Sequence, residues 1–258
     1  MSHPHDPVRR RFLSRVTVAA GTIAAGSPLV ALAHGRDNDG DWHEWRGQRR
    51  LIRPGGRFFP QSVASFEPRA RSIIVWTRVE DPDHPGQDLD LTLLVGTDPW
   101  LNRVVVATRL NARNADGGVV QVKLDDLKAK THYYYRFVYE KRGRWYGSPI
   151  GRTRTAPHAR DADRARFVLA SCQDAVGRYY NTYLAILAQD PDFVLFIGDY
   201  IYETTGDPEF QVPTGRRPQF SDLAGAIRLG TAAAPFYAAA SLSNYRELYR
   251  FANHTRFV

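Results

Sequence analysis

From Phe58 to Pro157 apolar and polar positions alternate with the period of two that marks strands with one buried face. Leu89, Leu91, Leu93 and Val95 share one side of "DLDLTLLVG", and Val120, Val122 and Leu124 share one side of "GGVVQVKL". In "THYYYRFVYE" the side chains of Tyr133, Tyr135, Phe137 and Tyr139 fall together, opposite Tyr134, Arg136 and Val138. "RSIIVWTRVE" reads as another strand, and "DPDHPGQD", "GTDP", "NADGG" and "KRGRW" punctuate the runs as turns. Short strands at this spacing predict a small antiparallel β-sandwich over residues 58–157. After the charged, Pro-containing hinge "TAPHARDADRAR" the period changes. "RFVLASC" and "PDFVLFIG" are unbroken apolar runs, as in strands covered on both faces, while "GRYYNTYLAILAQ" has helical spacing through Tyr180, Tyr183, Leu184 and Leu187. Strand, helix, strand in this order predicts a βαβ unit with two parallel, neighbouring strands and a right-handed crossover. Residues 164–258 show only these two clear strands, too few for a complete two-layer α/β core.

The N-terminus follows a different pattern. Arg9, Arg10, Arg11 and Arg15 precede a mildly apolar run from Val16 to Val30 and then Ala31-Leu32-Ala33, the three parts of an export signal with cleavage expected after Ala33. The run is short and diluted by Gly21, Gly26, Ser27 and Pro28, which argues against a permanent membrane anchor. Arg9-Arg10-x-Phe12-Leu13 resembles the twin-arginine signal, with Val8 where Ser or Thr usually stands. That resemblance implies the twin-arginine export machinery as a partner, an exported location (periplasm or extracellular), and folding before export, which suits a protein that carries a metal. Residues 1–33 are therefore expected to be a signal peptide and the polar stretch 34–57 a linker.

Charge and cysteine content narrow the classes further. The formal net charge is +8, of which residues 1–33 account for +3, and the arginines in the remaining chain of about +5 are scattered rather than clustered. No nucleic-acid motif accompanies them, so a dedicated nucleic-acid partner is not expected. Scattered basic residues support at most a preference for anionic substrates. There is one cysteine, Cys172, so no intramolecular disulfide can form. Its thiol is buried, reactive or held by a metal.

The βαβ reading places Cys172 and Asp199 at matching carboxyl ends of adjacent strands, where open α/β sheets bind ligands. Tyr202, three residues into the loop after Asp199, can reach back to them. Each alone has an ordinary structural role: a core cysteine, a turn aspartate, a packing tyrosine. Together they offer thiolate, carboxylate and phenolate, a donor set for a highly charged cation, with the phenolate favouring ferric iron. Arg178 near the expected helix start is a candidate substrate-binding residue.

Two resemblances attach to these segments. Leu127-x-Ala129-x-Thr131-x-Tyr133 is similar to the tyrosine corner of fibronectin type III domains, with Ala129 where Pro is usual, and makes the sandwich fibronectin III/Ig-like. "ASCQ" at 170–173 with "IGDYIYE" at 197–203, preceded by "SVASFEP", "SIIVWTRVE" and "SPIGRTRTAP", resembles PhoD-type alkaline phosphatases from about Phe59 to Tyr249. Ser65-Phe66-Glu67-Pro68 departs from the family's usual Ser-Gly-Asp-Pro. The resemblance implies that residues 164–258 begin an α/β metallophosphatase domain. It implies that Cys172, Asp199 and Tyr202 bind Fe(3+), that Asp199 also reaches Ca(2+), and that the reaction is hydrolysis of phosphate mono- and diesters. The family draws further metal ligands from an Asp-Asp-His-Glu-type motif and later Asp, Asn and His residues, whereas His254 is the only histidine after Glu203. The chain is therefore expected to be an N-terminal fragment of an exported phosphatase, inactive alone. The alternatives are a non-catalytic secreted β-sandwich binding module, marked by surface aromatics such as Trp100 and Trp145, or a non-functional remnant of a broken gene.

Overall fold

The computed structural model describes residues 30–34, 51–212 and 216–254. The arginine pair and most of the expected signal and linker lie outside the described residues. Two sheets face one another across the first half of the chain. One has the order β1-β7-β4-β3, built from β1 (Val30–His34), β3 (Val63–Phe66), β4 (Ile73–Arg78) and β7 (Val119–Asp125). The other has the order β2-β9-β8-β5-β6, from β2 (Arg53–Pro54), β5 (Leu89–Gly96), β6 (Val104–Ala112), β8 (His132–Lys141) and β9 (Arg144–Gly147). β10 (Gly151–Arg154) also pairs with β8. The alternating positions meet between the sheets: Ile73, Val75, Val122 and Leu124 from one, Leu91, Leu93, Val95, Tyr135 and Phe137 from the other, all buried. This is the sandwich expected from the alternation.

Local chemistry explains how two short strands share one edge of β8. β9 pairs with Val138–Lys141 and β10 with His132–Tyr135, so the edge must break between them. Ser148 bridges the break, its N–H donating to the Phe137 carbonyl at 2.8 Å and its Oγ accepting from the Phe137 N–H at 3.1 Å. Pro149 follows, a residue with no N–H to give to a ladder. The tyrosine corner forms as expected, with the Lys128 N–H donating to the Tyr133 hydroxyl at 2.9 Å.

The outer face of the second sheet is not simply polar. Leu94, Leu101 and Val138 are buried there beneath Ile52, Val104, Tyr134 and Trp145. Trp145 is therefore a packing residue, while Trp100 is 74% exposed. β6, which the sequence reading did not identify, pairs along all of β5 with an irregularity at Val95/Gly96. Its burial pattern is mixed rather than alternating, because it lies at the sheet's edge. β1 pairs in parallel with β7, and the expected cleavage after Ala33 falls within it.

The second half carries β11 (Phe167–Ala170), α1 (Thr182–Ala188) and β12 (Phe193–Phe196), with the two strands parallel and in register from Phe167↔Phe193 to Ala170↔Phe196. The βαβ unit is thus present. Its helix is shorter than the sequence pattern suggested. Gly177 sits at φ +68°, where an added Cβ would collide with the Val212 carbonyl, and its N–H donates to the Arg216 carbonyl. Tertiary contacts thus hold the chain out of helix until Asn181. A hairpin of β13 (Ala226–Gly230) and β14 (Pro235–Ala239) follows, then α2 (Leu242–Ala252), capped by Ser241 and Asn244 in a capping box. The hairpin corrects the expectation of only two strands after residue 164. Its strands are short, β13 mostly exposed and β14 mostly half-buried up to the buried Ala239, and neither shows the alternation that would mark a strand in the sequence.

Candidate metal centre

Both strands of the βαβ unit run into the same structural solution at their carboxyl ends. Cys172 and Asp199 each adopt left-handed backbone conformations, with φ of 58° and 53°. Such conformations cost non-glycine residues energy and persist where surrounding bonds enforce them. The Cys172 N–H donates to the Gly198 carbonyl at 3.2 Å and the Gln173 N–H to the Asp199 carbonyl at 2.8 Å, which ties the two turns together. The side chains consequently converge. Cys172 Sγ is 3.5 Å from Asp199 Oδ2, and the Tyr202 hydroxyl donates to the same oxygen at 3.4 Å.

This arrangement fits a cation. Two donors of different hardness each lie within the separation from Asp199 Oδ2 that bonds of about 2 Å to a common ion would impose. Among the described residues no hydrogen bond reaches Asp199 Oδ1, so one carboxylate oxygen remains available to a second cation. Partial burial, the Cys172 thiol and the Asp199 carboxylate push Tyr202 up to about 12, so the phenol is protonated in the metal-free protein. Among the described residues no group of three or more His, Cys, Asp and Glu side chains comes together, and the phenol is what makes this cluster a triad.

Arg178 stands elsewhere in the local network. Its Nη1 donates to Asp174 Oδ2 at 2.9 Å and its Nη2 to the Phe210 carbonyl at 2.8 Å. Asp174 is buried and also accepts from the Val176 N–H at 2.9 Å, so this pair fixes the loop between β11 and α1. The supporting residue that sequence reading missed is Gln173. It is buried, adjoins Cys172, and its Oε1 accepts from the Tyr183 hydroxyl. Behind it a cavity of about 360 Å³ is lined by Tyr180, Tyr183, Tyr200 and Asn253, with Tyr200 donating to Asn253 Oδ1 at 2.5 Å. The clustering of tyrosines in "GRYYNTY" and "GDYIY" was the available signal.

The centre lies on a sheet whose surroundings are open. Phe167 and Leu169 of β11 and Phe193, Val194 and Leu195 of β12 are all 42–57% exposed, and α1 buries no residue. Parallel strands are ordinarily covered on both faces.

Comparison with known proteins accounts for both halves of the chain. Residues 48–157 match the model of the PhoD-like phosphatase N-terminal domain, and residues 167–255 match that of the PhoD-like phosphatase itself. The chain belongs to the PhoD-like phosphatase family. It is 33% identical to alkaline phosphatase D of Bacillus subtilis (strain 168) over 163 residues, which are 61% of this chain and 27% of that protein. A solved structure of PhoD overlays with a TM-score of 0.58 at 27% identity, covering 78% of this chain and 36% of the other. The chain therefore spans about a quarter to a third of the PhoD relatives it matches. The boundary between the two family models falls in the stretch between β10 and β11, where the fold changes from sandwich to βαβ.

Proposed function

We propose that this chain is the front portion of an exported, metal-dependent alkaline phosphatase that hydrolyses phosphate mono- and diesters. The observation that carries the reading is the convergence of Cys172 and Tyr202 on one carboxylate oxygen of Asp199 at the carboxyl ends of two parallel strands. In this reading Cys172, Asp199 and Tyr202 would hold a ferric ion, Asp199 would also serve calcium, and residues 164–258 begin the α/β metallophosphatase domain. The cations, when bound, supply positive charge that neutralises phosphate oxygens as the ester is attacked.

The chain's own residues do the positioning. Cys172 and Tyr202 would hold the ion as thiolate and phenolate. The paired left-handed turns hold Asp199 in place, so little is lost in ordering it when substrate binds. Gln173 locks the first turn through Asp199 and Tyr183. Arg178 acts on substrate only if released from Asp174, and we assign it the structural role. The uncovered faces of β11 and β12 support the further reading that additional strands complete this centre and that the 258 residues alone turn over esters poorly.

The experiment is phosphate release from a monoester and a diester at alkaline pH with calcium, together with metal analysis. It compares this chain with one continued through the remaining family sequence. Iron in the longer chain, lost together with turnover in Cys172→Ala, is the expected result. Full activity in that variant would remove the iron assignment, and robust turnover by the short chain would remove the incomplete-centre reading. Export is tested separately: Arg9→Lys with Arg10→Lys should leave precursor in the cytoplasm.

A further inference from the structure

α2 turns two different faces to its surroundings. Leu248 and Ala252 are buried on one, with Leu248 packed into a small core beside Phe220 and Ala239. Arg246, Tyr249, Arg250 and Asn253, at i, i+3, i+4 and i+7, form the other. This stripe faces the outer side of β4, where Trp76 and Arg78 point away from the sandwich core. A cavity of about 290 Å³ lies between them, close to the lower end for small-molecule sites of about 300 Å³. None of Cys172, Asp199 and Tyr202 lines it.

The charges in this cavity are unbalanced. Arg78 is satisfied by Glu80 at 2.7 Å, Gln61 Oε1 at 3.0 Å and the Gly117 carbonyl at 2.9 Å. The other nearby acids are committed too, Asp116 to Arg113 at 2.7 Å and Glu247 to the Ser221 N–H at 3.1 Å. Among the described residues no hydrogen bond or carboxylate within 4.0 Å reaches the guanidinium of Arg246 or Arg250. Arg250 is half-buried, and burial and then the Arg78 charge push its pKa down, with Arg246 adding to them against Glu247 and Glu80. Elsewhere along the same contact between the two halves, basic groups are matched: Lys130 by Asp163 at 2.9 Å, Arg152 by Asp190, Arg154 by Asp192. Like charges gathered where pairs are the rule mark a place for an anion.

We propose that this cavity binds a small phosphorylated ligand bearing a planar ring, of mononucleotide size, with Arg246 and Arg250 on the phosphate and Trp76 against the ring. Guanidinium groups suit phosphate because their planar forks donate in pairs. Trp76 is half-buried and lines the cavity, so part of its ring is presented to a ligand there. One face of Tyr249 is occupied, stacked on Tyr200 with centroids 5.9 Å apart, whereas Trp76 makes no ring contact among the described residues, which makes it the better platform.

The test is calorimetric titration of the full chain with adenosine monophosphate, inorganic phosphate and adenosine. The nucleotide is expected to bind at least about tenfold more tightly than either part alone, a difference of ~1.4 kcal/mol. Arg246→Gln and Arg250→Gln should each weaken it by about tenfold. Trp76→Leu should weaken the nucleotide and leave phosphate unchanged. Arg246 is exposed, so its variant keeps the test valid if Arg250→Gln misfolds. Asp199→Asn separates this cavity from the metal centre and should leave nucleotide binding intact. No nucleotide binding, binding indifferent to Arg246→Gln, or binding abolished by Asp199→Asn would each overturn the proposal. Phosphate binding as tightly as the nucleotide would overturn its ring component.

Discussion

Asp199 Oδ2 is the point on which the centre closes, and the Tyr202 phenol beside it is protonated at ordinary pH. Because its pKa is raised to about 12, a cation held through this phenol, as proposed, would have to expel that proton over the whole range from pH 6 to 9. Metal affinity should therefore rise with pH. Tyr202→Phe should lower both the affinity and the steepness of that rise by about one proton, measured by metal titration at several pH values. A slope unchanged in Tyr202→Phe would mean the phenol is not a ligand. Tyr133 provides the contrast within the same chain. Its buried hydroxyl serves the Lys128 N–H, so Tyr133→Phe should cost about 1–2 kcal/mol of sandwich stability, seen as a lower urea midpoint, and leave bound metal unchanged.

At the scale of elements, the segment after β4 is pinned to the end of β8 by one buried carboxylate. Asp81 accepts from Lys141 Nζ at 2.6 Å and from the Tyr139 hydroxyl at 2.9 Å, with His84 Nδ1 at 3.1 Å. Burial alone would raise its pKa, but Lys141, His84, the Asp83 N–H and Tyr139 together hold the carboxyl well below the usual range. The sign follows: a carboxyl whose folded pKa is depressed stabilises the fold above its unfolded value of about 4 and loses that contribution as pH falls below it. Urea midpoints should drop between pH 5 and pH 2, and Asp81→Asn should flatten that drop while lowering stability at pH 7. An unaltered acid profile in Asp81→Asn would remove this network from the account. The same reasoning marks the limits of sequence reading for elements. β4, β5, β7 and β8 were legible because one face of each is buried and the alternation records it. β6 and the β13–β14 hairpin were not, because neither the edge strand nor the two short hairpin strands alternate between buried and exposed positions.

The whole molecule is unevenly consolidated. Tyr135, Phe137, Leu93 and Val122 belong to a closed core in the sandwich, whereas Phe193, Leu195 and Leu187 of the second half stand in contact with solvent. Buried apolar area is what offsets chain entropy, so the two halves should differ in stability. Limited proteolysis is expected to cut first within residues 158–230 and to leave a resistant fragment ending near Pro157. The intact chain should also bind a hydrophobic dye at concentrations where that fragment does not. Uniform protection along the chain would contradict this division.

Period and composition alone determined the sandwich, the parallel βαβ pair, and the coincidence of Cys172 and Asp199 at matching strand ends, because burial imposes a repeat that local sequence must record. Tertiary structure alone decided the left-handed turns that aim those two residues at each other and the delay of α1 to Thr182. It also decided the meeting of Arg246 and Arg250 with Arg78 and Trp76 across the contact between the two halves. Each of these depends on which distant backbone supplies a hydrogen bond or which distant side chain shares a cavity, and no periodicity within one segment encodes its neighbour in space.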